Sequence, residues 1–239
     1  MAGFAAARAA VLERIVAACL RTGRDPAGVA LVAVSKTVPA ERLAAAVAAG
    51  LTTLGENRVQ ELTAKAPLLP GVAWHLIGHL QANKARTAVE LCAAIEAVDS
   101  LALAERLARL VGEGRRPSPG PLPVYLQVNV DADPAKAGFT PATIERDLGA
   151  ICALPGLAVA GLMTVGRLVE LGADARPTFT SLRRLSERLR RDEPGLGAGL
   201  SMGMSADFEV AVEEGATLVR VGQAIFGARP PKGPIPSLR

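Results

Sequence analysis

Residues 29–43 read VALVAVSKTVPAERL. Six of the first seven are apolar, and then a lysine appears at Lys36. A continuous apolar run of this kind reads as a strand buried on both faces, which is the habit of parallel sheets covered by helices. An ammonium group at the end of such a strand is costly unless something pairs with it or changes it chemically. The remainder of the chain has to say which.

The same type of run recurs. VALVAVSK (29–36), LTTLGEN (51–57), AWHLIGH (73–79), AIEAVDS (94–100), PVYLQVNV (123–130), LAVAGLMTV (157–165), AGLSMGM (198–204) and TLVRVG (217–222) read as eight strands. Between them lie Ala/Leu/Arg-rich stretches of helical length, among them 100–113, 141–152 and 176–192. Strands alternating with helices argue for parallel βαβ units, and eight such units predict an α/β fold, a single (β/α)8 barrel of the TIM type. An extra helix precedes it, because Val11, Leu12, Ile15 and Cys19 recur at helical spacing. One barrel domain is expected over residues 1–229. The tail at 230–239, with four prolines after Arg229, is expected to fray.

Composition narrows the function. Half of the 239 residues are apolar and 3% aromatic, so the core must be built from Ala, Val, Leu and Ile. The net charge of +4 is mild. The densest basic group, SLRRLSERLRR (181–191), keeps Leu182, Leu185 and Leu189 in helical register and has no stacking aromatics, so it reads as a solvated helix face and not a nucleic-acid surface. Cys19, Cys92 and Cys152 are odd in number and far apart, which suggests neither a disulfide framework nor a zinc site. Arg8, Glu13 and Arg14 interrupt the N-terminal apolar stretch, which argues against an export signal, and no apolar run reaches membrane-spanning length. A cytoplasmic protein is expected.

In a barrel of this type chemistry sits at the C-terminal ends of the strands. Polar residues and glycines gather there: Ser35-Lys36, Glu56-Asn57, Gly78-His79, Thr164, Ser201 to Ser205, and Arg220 to Gly222. Side chains alternate along a strand, so Val32, Val34 and Lys36 share one face, as do Leu218, Arg220 and Gly222. If those faces point inward, Lys36 and Arg220 look into one mouth, since the last strand closes on the first. A lysine with its pKa depressed by burial and a nearby cation forms imines with aldehydes. SMGMS (201–205) and VGQAIFG (221–227) place small residues where helix N-termini should begin, and backbone N–H groups there suit a phosphate. Aldehyde and phosphate together suggest pyridoxal 5′-phosphate (PLP). On spacing alone a second reading stands beside this one: Lys36 snorkels to solvent and the glycines only make turns.

VAVSKTVP (32–39), GENRVQEL (55–62), WHLIGHLQANKAR (74–86), GLMTVG (161–166) and LSMGMSADFEVAVEEGATLVRVGQAIFGAR (200–229) together resemble the PLP homeostasis protein family. The resemblance spans roughly residues 8 to 229. It implies a barrel similar to the N-terminal domain of alanine racemase, with PLP held as a Schiff base on Lys36. It further implies that Arg220 faces the pyridine nitrogen, that Ser201, Gly222 and Gln223 cradle the phosphate, and that Asn57 lies near the ring. Two positions depart from the family pattern: Arg58 stands where an aromatic is usual after Gly-Glu-Asn, and Asp133 where Glu is more usual.

Other constellations have plainer readings. His75 and His79 are about 13 Å apart if on one strand, at about 3.3 Å per residue, and cannot clasp one ion, so no metal site is expected. His75 then reads as a barrel residue and His79 as a loop hydrogen-bonder. Glu56 reads as an ion-pairing strand residue or a general base. GLGAG (195–199) lacks the strand–turn–helix setting of a dinucleotide fingerprint. PLP catalysis needs a group to move the substrate proton and an acid near the ring nitrogen. Arg220 is a poor proton donor, and the single tyrosine, Tyr125, is placed at the start of the fifth strand, away from the mouth. The sequence therefore favours a monomeric PLP carrier that delivers to PLP-requiring apoenzymes, with Lys136 in DADPAKAG (131–138) as a candidate transfer residue. The alternative is a weak amino-acid racemase or decarboxylase.

Overall fold

The structure, a computed structural model, describes residues 2–166 and 172–227. The expected frayed tail, 230–239, lies outside the described residues. Eight short strands carry the barrel: β1 (Ala30–Val34), β2 (Thr53–Glu56), β3 (Ala73–Leu76), β4 (Ala94–Val98), β5 (Leu122–Gln127), β6 (Leu157–Met163), β7 (Gly199–Ser201) and β8 (Leu218–Val221). Each pairs in parallel with the next, and β8 returns to β1 through Ala30–Leu218 to Ala33–Val221. The closed (β/α)8 barrel expected from the alternating runs is the observed fold.

The strands end earlier than the apolar runs. Pairing of β1 stops at Val34, and Lys36 lies in a tight turn beyond it, closed by the Val38 N–H on the Ser35 carbonyl at 3.0 Å. Strand alternation therefore does not decide where Lys36 points; the turn does.

Nine α-helices are described: α1 (Ala2–Arg21), α2 (Ala40–Ala48), α3 (Val59–Lys65), α4 (Ala85–Leu91), α5 (Leu101–Gly112), α6 (Pro141–Cys152), α7 (Arg176–Asp192), α8 (Phe208–Glu213) and α9 (Gln223–Phe226). Local chemistry sets their starts. The Ser100 hydroxyl accepts from Leu103 N–H at 3.3 Å, and Thr140 forms a reciprocal capping box with Thr143 ahead of Pro141. With four residues, α9 is too short to cover the barrel wall, and α1 packs against α8 and α9 to complete the covering. Val11, Ile15, Ala18 and Cys19 form its buried stripe. The arginine-rich α7 buries Phe179, Leu182, Leu185 and Leu189, while Arg183 and Arg188 meet Glu187 and Glu145 on its outer face, as expected of a solvated face.

The main apolar core lies between strands and helices. Inside the barrel a small plug of Val32, Val34, Ile77 and Leu218 packs with Tyr125. Tyr125 is the fourth of six residues of β5 and faces this plug, because the strand begins at Leu122. The sequence had set it at the strand's start. Room for Tyr125 comes from Gly199, where a Cβ would fall 2.8 Å from the tyrosine ring. Cys19, Cys92 and Cys152 are free thiols. No described helix is long and apolar enough to cross a membrane.

Candidate functional site

Two clefts open at the C-terminal ends of the strands. The first, of about 660 Å³, is lined by Lys36, Thr37, Arg42, Gly222, Gln223 and Phe226. The second, of about 640 Å³, is lined by Asn57, Arg58, Gly78, His79, Gln81 and Lys84. Lys36, Gly222 and Gln223 thus share one wall, and Asn57 lines the neighbouring cleft between β2 and β3. Asn57 is held there by contact with Gly78, whose added Cβ would lie 2.4 Å from the Asn57 carbonyl oxygen. Arg58 is exposed on that cleft. Gly222 is needed for space as well: a Cβ would meet the Val34 Cβ and carbonyl oxygen at 3.2 Å. Its N–H donates to the Ser205 hydroxyl at 3.2 Å, which ties the loop after β7 to the start of α9. Arg42, which the sequence reading passed over, donates to the Phe226 carbonyl at 2.9 Å and adds a cation to the Lys36 cleft.

Beneath Lys36 lies a buried ionic cluster. The Lys65 ammonium donates to the Ser35 carbonyl at 3.0 Å, to Glu56 Oε1 at 2.6 Å and to Glu61 Oε2 at 2.8 Å. The Ser35 hydroxyl also donates to Glu56 Oε1, at 2.7 Å. Glu56 Oε2 is buried with no hydrogen-bond partner. Burial raises the Glu56 pKa against the opposing pull of Lys65 and Ser35. Burial works in the same direction on Glu61, but the bonds from Lys65 and from the Thr37 N–H outweigh it and hold its carboxyl below the ordinary range. Glu56 is the ion-pairing strand residue of the two readings the sequence left open.

A second polar cluster fills the barrel interior below the mouth. Arg220, 4% exposed, donates through one terminal nitrogen to the Ser201 hydroxyl and through the other to the Thr164 carbonyl at 2.7 Å. Ser201 in turn donates to Glu96 Oε2 at 2.6 Å, and the other Glu96 oxygen meets His75 Nδ1 at 2.6 Å. Burial lowers the Arg220 pKa, and the charges of Glu96 and Asp207 oppose it. Ser201 and Arg220 are therefore brought together within the barrel, and neither lines the cleft that holds Lys36. His75 is a barrel residue as expected, and His79 pairs with Asp99 at 2.8 Å in the loop beyond β3. Sequence reasoning missed Glu96. Its signal was a carboxylate in the middle of an otherwise apolar, wholly buried strand.

Lys136 lies in the loop between β5 and α6 and is not among the residues that line either cleft. The loop is organised by Asn129, whose amide donates to the Asp133 carbonyl at 2.7 Å, and the Lys136 ammonium rests 3.5 Å from Asp133 Oδ2.

The family model for the alanine racemase N-terminal domain matches residues 14–230. The pyridoxal phosphate homeostasis protein of Pseudomonas aeruginosa is 43% identical, over 92% of this chain and 94% of its own. That of Homo sapiens is 40% identical, over 95% and 87%. The chain belongs to the pyridoxal phosphate homeostasis protein family. Among solved structures, PipY of Synechococcus elongatus with PLP bound superposes with a TM-score of 0.78 at 42% identity, covering 91% of this chain and all of that one. Its PLP-free structure gives 0.79. Family membership rests on nearly the full described barrel, as the ordered motifs of the sequence implied.

Proposed function

We propose that this chain binds PLP at the barrel mouth and takes part in PLP homeostasis, holding the cofactor on Lys36 and handing it to apoenzymes that require it. The observation that carries the reading is that Lys36, Gly222 and Gln223 line one cleft, with the buried Arg220 two residues before Gly222 in the chain. PLP bound in PipY and the names of the curated relatives support it. When bound, PLP supplies an aldehyde that condenses reversibly with an ε-amine and a phosphate that takes up N–H groups and positive charge.

The residues present fit that group. Lys36 is half-buried at the cleft and supplies the amine. Gly222 allows the close approach of β1 that a Cβ would oppose, and the Gly222 and Ala224 N–H groups converge on the Ser205 hydroxyl at the start of α9. Arg42 adds charge on the same wall. Arg220, kept in place by Ser201 and the Thr164 carbonyl, would present a cation to the ring nitrogen and would not give up its proton. Tyr125 is packed into the interior plug, and burial together with the charge of Glu96 pushes its phenol pKa up, so it is not placed to serve as a base at the mouth. These features favour a holder of PLP over an enzyme moving α-protons. A monomer acting in the cytoplasm, with Lys136 assisting transfer, completes the proposal.

Borohydride reduction of the PLP-loaded protein followed by peptide mapping tests it. The expected result is phosphopyridoxyl on the peptide containing VSKTVP (34–39), lost in Lys36→Ala. Full labelling of the Lys36→Ala variant would refute the assignment. Delivery is tested by activation of a PLP-requiring apoenzyme with a scavenger of free PLP present, Lys136→Ala being expected to slow activation without abolishing binding.

A further inference from the structure

The turn that carries Lys36 is made from the wrong residue. Ser35 to Val38 form a closed turn with Thr37, its third residue, at φ 67°. Turns with positive φ at that position ordinarily take Gly or Asn. A β-branched residue there is a steric outlier that persists only when its surroundings impose it.

Those surroundings are visible. The Thr37 N–H donates to Glu61 Oε2 at 2.8 Å, the same oxygen that accepts from Lys65. Lys65 sits four residues along α3 from Glu61 and spends its three protons on Glu61, Glu56 and the Ser35 carbonyl. The residues on both sides of Lys36 are thus bonded to one ionic cluster, while Lys36 itself lines the cleft. We propose that Glu61, braced by Lys65, is a positioning residue: it holds Thr37 in the left-handed region and so aims the Lys36 amine into the cleft. The inference rests on the assignment of Lys36 as the PLP-holding lysine.

The competing role for Glu61 is general stability of α3, and a double-variant cycle separates the two. Glu61→Ala removes the pin but leaves Lys65 paired with Glu56 and the Ser35 carbonyl, so the buried cation keeps its partners. Thr37→Gly removes the need for the pin, because glycine takes positive φ without steric cost. PLP affinity is read by absorbance titration, the rate of borohydride labelling at Lys36 by mass spectrometry, and folding by the thermal transition.

Glu61→Ala is expected to weaken PLP binding about tenfold, equivalent to about 1.4 kcal/mol. In the Thr37→Gly background the same substitution should cost less than about threefold, by the same conversion. Glu61→Gln, which keeps an acceptor oxygen for Thr37, should stay close to the parent. Parent-like affinity in Glu61→Ala, or an equal loss in both backgrounds, overturns the proposal. Failure of the underlying assignment is read separately, from the parent protein alone, as an absence of label on Lys36.

Discussion

Glu96→Gln is the perturbation that most directly tests the interior cluster. The Glu96 carboxylate lies 3.9 Å from the Arg220 guanidinium and is linked to it through the Ser201 hydroxyl. Two unit charges at that separation interact by about 4 kcal/mol at an effective dielectric constant of about 20. Removing one partner of a buried pair costs about 3–5 kcal/mol, because the other charge is left uncompensated. The amide also keeps only one acceptor where the carboxylate serves both His75 and Ser201. These contributions overlap, so the expected loss is about 4 kcal/mol, a large part of the 5–15 kcal/mol typical of a folded domain. At about 2–4 °C per kcal/mol for a chain of this size, the thermal midpoint should fall by about 8–16 °C. Urea unfolding at neutral pH measures the loss. The double variant Glu96→Gln/Arg220→Met, which removes both charges, should lose less than the sum of the two single variants. A loss below about 1 kcal/mol in Glu96→Gln, or strict additivity in the double variant, would refute the pairing.

Gly222→Ala places a methyl group 3.2 Å from Val34 and should cost about 1 kcal/mol, the low end of overpacking, while lowering PLP affinity measured by titration. The Cys92 thiol, pushed up to about 12 by burial, should resist iodoacetamide at pH 8 in the native protein and react once unfolded, as read by mass spectrometry. Because the folded pKa of Glu56 is raised, the native chain keeps a proton that the unfolded chain sheds, so stability falls as pH rises through the range above 4.5. Glu61 acts oppositely: its lowered pKa contributes stability present above 4.5 and lost as pH falls through the folded value. Urea midpoints of the parent relative to Glu56→Gln should therefore decline as pH rises above 4.5, and a flat difference would contradict the raised pKa.

The barrel was legible because period and order suffice for it. Eight apolar runs separated by helical stretches leave few topologies, and the spans of α6 and α7 were read to the residue. The strand ends were not legible, since apolar character continues past the last paired residue: Ser35 N–H still bonds the Gly55 carbonyl at 2.9 Å, but Lys36 already belongs to the turn. In the site, Lys36 and Gly222 were readable from their place at strand ends and Gln223 from the family resemblance, and the three line one cleft. Their supports were not. Lys65, a cation in the last turn of a short helix, has the sequence signature of a solvated residue, and only the seating of α3 against the ends of β1 and β2 buries it. Glu96 was as anomalous in its strand as Lys36 was after β1, yet its partner Ser201 lies 105 residues away. An unpaired charge can be noticed locally; the group that pairs it is a property of closure.

The two clusters divide the work at the mouth. Each holds one buried cation tied to several elements: Lys65 to Glu61 on its own helix, to Glu56 of β2 and to the Ser35 carbonyl after β1, and Arg220 to Ser201 of β7 and the Thr164 carbonyl after β6, with Glu96 of β4 beyond Ser201. One fixes the turn that presents the amine, and the other fixes the guanidinium under the cleft. Neither Glu56 nor Glu96 lines the clefts. The buried carboxylates of both clusters thus hold wall residues in place from behind, while Glu61 both lines the Asn57 cleft and pins the Lys36 turn. Arg58 illustrates the consequence. It is exposed on the Asn57 cleft, where its charge also acts on Glu61 of the first cluster and helps to hold that carboxyl below its ordinary range. Substitution on the walls should therefore change what the mouth accepts and how tightly. Substitution in the clusters should change whether Lys36 and Arg220 are in place to accept anything.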